Sequence, residues 1–161
     1  AHAYGSVVHR APVGEVNVAR RMQHEVAVVG GEGNGGVILP ALQYTRDAPL
    51  AVGLVLQHLA EEGLTVSEAV ARWPSYKIVK EKLSFPRQAL IRGYGALEEG
   101  LDAESKDSAD GLRLAWPSLK TWVHVRPSGT EPVVRIIAEA PDEKRAKELV
   151  SLAAELLAGI A

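Results

Sequence analysis

The stretch that decides the fold reads Arg126-Pro127-Ser128-Gly129-Thr130-Glu131-Pro132 and runs directly into a β-rich segment, residues 133–140. Its composition predicts a loop that binds phosphate. Ser128, Gly129 and Thr130 supply successive backbone N–H donors and two hydroxyls, and Gly129 permits a turn with positive φ in which N–H groups converge on one anion. Arg126 adds a planar guanidinium that donates to two phosphate oxygens. A plain turn between antiparallel strands is the alternative interpretation.

A second glycine-rich loop lies upstream, at Gly30-Gly31-Glu32-Gly33-Asn34-Gly35-Gly36. Five glycines within seven residues allow close approach of a ligand to the backbone, while Glu32 and Asn34 offer a carboxylate and an amide that suit sugar hydroxyls. A flexible glycine turn is the alternative. A dinucleotide-binding fingerprint fits poorly, because Pro40 follows where that fold needs a helix.

Composition limits the classes of function that remain open. The chain has 161 residues, 47% of them hydrophobic and 24% charged, which is typical of a soluble globular protein. A formal net charge of −2 argues against nucleic acid and anionic membranes as partners, and the absence of cysteine excludes disulfides and thiolate metal sites. No apolar run is long enough to span a membrane or to form a signal-peptide core. The histidines show no metal-ligand spacing; they are His2, His9, His24, His58 and His124.

The pattern of the chain changes near Trp73-Pro74. Before that point, the apolar run 26–29 predicts a buried strand that ends in the glycine-rich loop. Asp47 is placed to cap a helix that ends at Gly63, and the capping-box spacing of residues 65–68 predicts a short helix to Arg72.

The second half predicts a small α+β domain. Strands are expected over 76–83, over two alternating runs at 112–116 and 122–126, and over 133–140. A helix is expected over 86–99, with 100–110 as a polar connection. The last helix follows Pro141 and carries one apolar stripe, formed by Ala146, Leu149, Val150, Ala153, Leu156, Leu157 and Ile160.

Both loops resemble those of one enzyme family. Residues 126–135 resemble the phosphate-binding loop in the last domain of the α-D-phosphohexomutases, the family of phosphoglucomutase, phosphomannomutase and phosphoglucosamine mutase. Residues 30–38 resemble the sugar-recognition loop of that family's third domain, in the expected order. The resemblance implies that 1–72 is the C-terminal part of the third domain, a mixed α/β domain, and that 73–161 is the fourth. The expected fold class is therefore α/β and α+β, the fourth domain having an antiparallel sheet packed by helices.

The resemblance also implies roles for individual residues. Substrate phosphate is expected to contact Arg126, Ser128, Gly129, Thr130 and Arg135. The sugar is expected to contact Glu32, Gly33, Asn34 and Arg10. Two of these residues have alternatives, because Arg135 could pair with Glu131 or Glu139, and Arg10 could be a solvated arginine at a strand end. Glu131 would repel a phosphate and is expected to face away from it. The commonest family version of the sugar loop has serine and histidine where Asn34 and Gly36 stand, which leaves the hexose unspecified.

The implied activity is the interconversion of hexose 1-phosphate and hexose 6-phosphate through a bisphosphorylated sugar, an intramolecular phosphotransfer of the isomerase class. The chain contains neither a phosphoserine motif nor an Asp-x-Asp-x-Asp-Arg metal loop, and it starts at Ala1. We therefore expect the C-terminal portion of a cytoplasmic enzyme, with catalytic residues and Mg²⁺ ligands in missing N-terminal domains, and with no activity of its own. An oligomer is compatible with the sequence. The alternative is a stand-alone module that binds phosphosugars without catalysis.

Overall fold

The computed structural model describes residues 5–160, so that His2 lies outside the described part. The chain divides into two compact units between Trp73 and Pro74, and each is described by itself. Within residues 5–160, no helix combines the length and the apolar character needed to cross a bilayer.

Within residues 5–73, the first unit contains three helices and a two-stranded ladder. In chain order the elements are α1 (Glu15–Glu25), β1 (Gly30–Gly31), β2 (Val37–Ile38), α2 (Ala48–Glu62) and α3 (Val66–Ala71). Strands β1 and β2 are antiparallel, with Gly30 opposite Ile38 and Gly31 opposite Val37. This ladder brings together the two ends of the glycine-rich loop.

The predicted helix boundaries around α2 and α3 are confirmed. The Asp47 carboxylate accepts a hydrogen bond from the Leu50 amide at 2.8 Å, and the helix ends at Gly63 in the left-handed conformation. Thr65 and Glu68 form the reciprocal capping box that their spacing predicts. Helix α2 nevertheless has no buried residue, and the buried apolar side chains of residues 5–73 are Met22, Ile38 and Ala69.

The predicted buried strand over 26–29 is wrong. Helix α1, which the sequence analysis did not predict, ends immediately before it, and Val26 adopts a left-handed φ of 52°. The amides of Val26 and Ala27 donate to the Met22 carbonyl as part of the helix end, so they are used in capping. Val26 and Val28 are 84% and 80% exposed.

The second unit is the predicted antiparallel sheet packed by helices. Its elements are β3 (Lys77–Ser84), a 3₁₀ turn (Arg87–Ala89), α4 (Leu90–Leu101), β4 (Ser105–Asp107), β5 (Leu112–Trp116), a second 3₁₀ turn (Pro117–Leu119), β6 (Thr121–Pro127), β7 (Val133–Ala140) and α5 (Glu143–Ala158). The strand order is β3-β7-β6-β5-β4, with every neighbouring pair antiparallel. The short edge strand β4 lies in the segment that was expected to be a connection.

The core of the second unit follows from the alternation of its strands. Every second residue of β7 is buried, as are Thr121, Val123 and Val125 in β6, and helices α4 and α5 contribute apolar side chains to the same core. The buried residues of the α5 stripe are Ala146, Leu149, Val150, Ala153 and Leu157, as predicted. The intervening positions of the two central strands are therefore directed to the opposite face of the sheet, where Arg126 and Arg135 lie.

Candidate functional site

The predicted phosphate loop, residues 128–132, joins β6 to β7. Both strands are interior in the five-stranded sheet, and the two ends of the loop are held by strand pairing, with Pro127 opposite Val134 and Val133 opposite Ser84 of β3. Arg126 and Arg135 are directly opposite each other in the register of β6 and β7. The fold thus brings together two arginines from either side of the loop.

The two guanidiniums are arranged as an anion site. Like charges directly opposite on neighbouring strands are destabilising unless an anion compensates them. The Nε atoms of both Arg126 and Arg135 are buried without a hydrogen-bond partner, and no carboxylate within residues 5–160 forms an ion pair with Arg126. A dianionic phosphoryl group supplies both the missing acceptors and the missing negative charge.

The loop amides differ from the sequence-based expectation. Ser128 is 4% exposed, and its amide donates to the Val133 carbonyl at 2.9 Å, so it is already paired. The Thr130 amide lies 3.5 Å from Ser128 Oγ, and Gly129 does not adopt a positive φ. The predicted convergence of three free amides is therefore wrong in this conformation. Gly129 and Thr130 are exposed, and the arginines carry most of the positive charge of the site.

Glu131 is held at the side of the loop by basic residues. Lys82 Nζ on β3 lies 2.8 and 3.1 Å from the two carboxylate oxygens, and an Arg135 Nη atom lies 3.8 Å from one of them. The Lys82 hydrogen bond lowers the pKa of Glu131, and the charges of Lys82 and Arg135 act in the same direction. Arg135 therefore has the Glu131 contact that was one of its two alternatives, whereas Glu139 accepts from the Trp122 indole.

The glycine-rich loop is a closed turn with its own hydrogen bonds. The Glu32 amide donates to the Gly36 carbonyl at 3.1 Å, and the Gly35 amide returns to the Glu32 carbonyl at 3.0 Å. Asn34 Oδ1 accepts from the Gly36 amide at 3.2 Å, which leaves the Asn34 Nδ2 group as a donor. Gly33 lies at the exposed part of this turn. The turn presents Glu32, Gly33 and Asn34 together.

Arg46 positions the Glu32 carboxylate, a role that the sequence analysis missed. Its Nη1 lies 3.2 Å from Glu32 Oε2, and its Nε lies 3.0 Å from Glu15 Oε2. The aliphatic part of Arg46 lies against Gly36, where an added Cβ would overlap Cδ and Cγ. The guanidinium thus links α1 to the loop, although Arg46 and Glu15 are 31 positions apart in the sequence.

The remaining predicted sugar contact is less constrained. Arg10 is exposed in the segment before α1, and it has no hydrogen bond or ion pair with residues 5–160. Its exposed guanidinium is compatible both with the predicted sugar contact and with the alternative of a solvated arginine. Within the same described range, no cluster of three or more histidine, aspartate or glutamate side chains is arranged to hold a metal ion.

The Glu15 contacts predict a specific acid response. Hydrogen bonds from the Thr45 hydroxyl, the Arg46 amide and the Arg46 side chain lower the pKa of Glu15 from 4.5 to about 2. Because the folded-state pKa is lowered, this stabilisation is present above pH 4.5 and is lost as the pH falls toward 2. An NMR titration of the Glu15 carboxyl should therefore give a midpoint far below that of an ordinary glutamate. Thr45→Val should move the Glu15 midpoint upward without moving that of Glu25, and an unchanged Glu15 midpoint would contradict this assignment.

Two family sequence models match the chain. Residues 1–76 match the model described as "Phosphoglucomutase/phosphomannomutase, alpha/beta/alpha domain III", and residues 77–156 match "Phosphoglucomutase/phosphomannomutase, C-terminal domain". The matches are consecutive and together extend over almost the whole sequence.

Curated relatives from the same family match nearly the whole of this chain. A probable phosphoglucosamine mutase of Methanopyrus kandleri is 40% identical over 147 residues, which are 90% of this chain and 32% of that protein. A phosphoglucosamine/phosphogalactosamine mutase of Sulfurisphaera tokodaii is 34% identical, over 97% of this chain and 34% of its own length. The chain thus spans about a third of the length of these relatives.

A solved structure shows the same fold. A phosphoglucomutase/phosphomannomutase family protein from Burkholderia thailandensis superimposes with a TM-score of 0.72 at 22% sequence identity. The superposition covers 92% of this chain and 31% of that one.

Proposed function

The chain belongs to the phosphoglucomutase/phosphomannomutase family and corresponds to the C-terminal portion of its members. From this premise, we propose that it is part of a cytoplasmic phosphohexomutase of phosphosugar metabolism. The whole enzyme interconverts hexose 1-phosphate and hexose 6-phosphate through a bisphosphorylated sugar. This chain supplies the sugar contacts and the contacts to the phosphoryl group far from the reacting centre. The reaction itself belongs to the N-terminal domains that the chain lacks.

The observation that carries this proposal is the cross-strand pair of Arg126 and Arg135. Their two buried, unpartnered Nε atoms flank a loop whose Gly129 and Thr130 are exposed. Charge-assisted hydrogen bonds from two guanidiniums favour a phosphoryl dianion over a neutral group. We assign Arg126, Arg135, Gly129 and Thr130 to direct phosphate binding. We assign buried Ser128 to the same site through the hydrogen bonds that shape the loop.

The glycine-rich loop is proposed to select the sugar. Glu32 is placed to accept hydrogen bonds from vicinal hydroxyls, and Asn34 Nδ2 is placed to donate one. Arg46 holds the carboxylate in one position, which reduces the side-chain entropy that is lost on binding. We include Gly33 and Arg10 as further sugar contacts, Gly33 through its exposed backbone.

These residues contribute position and electrostatics to catalysis. Holding one phosphate and the ring hydroxyls fixed orients the other end of the sugar for phosphoryl transfer. Mg²⁺ in the whole enzyme would be bound elsewhere, since residues 5–160 offer no suitable cluster of ligands. The isolated chain is therefore expected to bind hexose phosphate without converting it.

The experiment that tests the proposal measures binding and turnover separately. The 161-residue chain should bind glucosamine, glucose or mannose phosphates, glucosamine first because the relatives quoted above are named for amino sugars. It should show no mutase turnover. A longer reading frame that encodes the serine and aspartate motifs should restore turnover, whereas a frame without them would favour a binding module. Turnover at an enzymatic rate by the 161-residue chain alone would contradict the proposal.

A matched pair of variants tests the division of labour between the loops. Glu32→Ala should weaken the binding of hexose phosphate several-fold and leave inorganic phosphate nearly unaffected, because the carboxylate is assigned to hydroxyls. Glu99→Ala, which removes an exposed carboxylate from α4, is the control and should change neither. Calorimetry with both ligands decides the point. Equal weakening of both ligands by Glu32→Ala would show that the assignment is wrong.

A further inference from the structure

The feature that prompts a further inference is the acidic residue inside a loop assigned to phosphate. Glu131 directly follows Thr130, and its carboxylate reaches to 3.8 Å from an Arg135 Nη atom. A carboxylate competes with phosphate for a guanidinium, because both accept the same pair of hydrogen bonds. Because it is part of the same loop, Glu131 is also present at a high effective concentration.

Lys82 decides where that carboxylate lies. Its Nζ contacts both Glu131 oxygens at 2.8 and 3.1 Å, much closer than the Arg135 contact. Lys82 is opposite Arg135 in the register of β3 and β7, on the side away from Arg126. The lysine therefore holds the carboxylate toward the edge of the sheet. The lowered pKa of Glu131, caused first by the Lys82 hydrogen bond, agrees with this geometry.

The Lys82–Glu131 pair contributes little to the stability of the fold. The two side chains are 57% and 44% exposed, and an exposed ion pair adds little net stability because solvent screening and lost side-chain entropy offset most of the attraction. A second exposed pair in the same unit, Lys106 with Glu98, has the same 2.8 Å separation and similar exposure. Stability alone therefore gives no reason to place one of these pairs beside the arginines.

We infer that Lys82 is a positioning residue for phosphate binding: it holds the Glu131 carboxylate on its own ammonium group and limits the Arg135 contact to 3.8 Å, so that Arg135 stays available to the ligand together with Arg126. The inference rests on the proposed function of the loop and adds a residue from a third strand, β3. Without Lys82, the Glu131 carboxylate pairs with Arg135 and occupies the ligand's place. Lys82 then acts through Glu131, without contacting the phosphate.

A double-mutant cycle tests this inference on the 161-residue chain. The measured quantity is the Kd for inorganic phosphate and for glucose 6-phosphate, taken from NMR titration of the loop amides, with thermal stability measured in parallel. Lys82→Ala should weaken binding about 3- to 10-fold, while Lys82→Arg should retain it. Glu131→Gln should bind at least as tightly as the unmodified chain. In the Glu131→Gln background, Lys82→Ala should have no further effect. Lys106→Ala is the matched control and should bind normally.

Each other outcome overturns the inference in a recognisable way. An equal loss of affinity on Lys82→Ala with and without Glu131 would mean that the lysine attracts phosphate by its own charge. A change in thermal stability without a change in Kd would mean that Lys82 has only a structural role. If the unmodified chain bound no phosphate at all, the proposed function would fail and this inference with it. The first two results leave the proposed function intact.

Discussion

Arg126→Ala is expected to weaken the binding of inorganic phosphate by about 1.5–3 kcal/mol, which is roughly 10- to 150-fold in Kd. Arg126 carries the guanidinium that forms no ion pair within residues 5–160, so its full charge is available to a ligand. Its loss removes a charge-assisted donor and leaves Arg135 alone with Glu131 nearby. Calorimetric titration of the variant with phosphate measures the effect.

Three further variants make the Arg126 result specific. Arg92→Ala removes an exposed arginine from α4 and should leave phosphate binding unchanged, which separates local binding from net charge. Arg126→Lys should recover only part of the affinity, because an ammonium group lacks the planar pair of donors. Arg135→Ala should also weaken binding. If Arg126→Ala and Arg92→Ala weakened binding equally, the loop would not be the phosphate site.

The second large effect is expected for Gly111→Ala, which should destabilise the second unit by about 2–5 kcal/mol. Gly111 has a φ of 81°, a left-handed conformation that costs an alanine about 1–2 kcal/mol. An added Cβ would overlap the Val125 carbonyl oxygen and lie 2.9 Å from Arg126 Cα. Relieving this overlap moves strand β6, at a further cost of about 1–3 kcal/mol. Chemical denaturation monitored by tryptophan fluorescence measures the loss.

Gly95→Ala is the matched control, with an effect of opposite sign. Gly95 lies inside α4, is exposed, and has nothing within 4 Å of an added Cβ. Alanine there should stabilise the helix by up to about 1 kcal/mol. If the two alanine variants behaved alike, the assigned strain at Gly111 would be wrong. Because Arg126 lies against Gly111, Gly111→Ala should also lower phosphate affinity in the fraction that stays folded.

The parts of the fold that could be predicted are those specified by neighbouring residues. A capping box needs only Thr65 and Glu68, and a half-buried strand needs only the alternation along residues 122–126, so both were predicted correctly. The apolar stripe of α5 is a local pattern as well. In each of these segments, the residues that determine the helix or strand are close together in the sequence.

Predictions failed where the local structure depends on a residue far away in the sequence or on a backbone hydrogen bond. The run at 26–29 has the composition of a strand, but its first two amides donate to the Met22 carbonyl at the end of α1. Amino-acid composition does not indicate that these amides cap a helix. Arg46 meets Glu15 across 31 residues, and Lys82 meets Glu131 across 49. No spacing rule connects such pairs. Arg46 positions Glu32 of one predicted loop, and Lys82 positions Glu131 of the other. The two loops could therefore be identified from the sequence, but the residues that position them could not.

The Ser128 amide is a related case. Serine, glycine and threonine in succession predict free donors, yet the first of them completes the hydrogen bonding between β6 and β7 by donating to Val133. The composition of the loop can be read from the sequence, whereas the register of β6 and β7 determines which loop amides remain without a hydrogen bond inside the protein. Residue types could therefore identify the loop, but they could not specify its donors.

The rate of amide hydrogen exchange should change abruptly at the two ends of the 128–132 loop. Strands β6 and β7 are both interior, so their amides are protected by hydrogen bonds to neighbours on each side and should exchange slowly. Exposed Gly129 and Thr130, a few residues away, should exchange quickly in the free chain. A bound phosphoryl group should therefore slow exchange at the tip of the loop, while the strands that frame it keep the rates they already have.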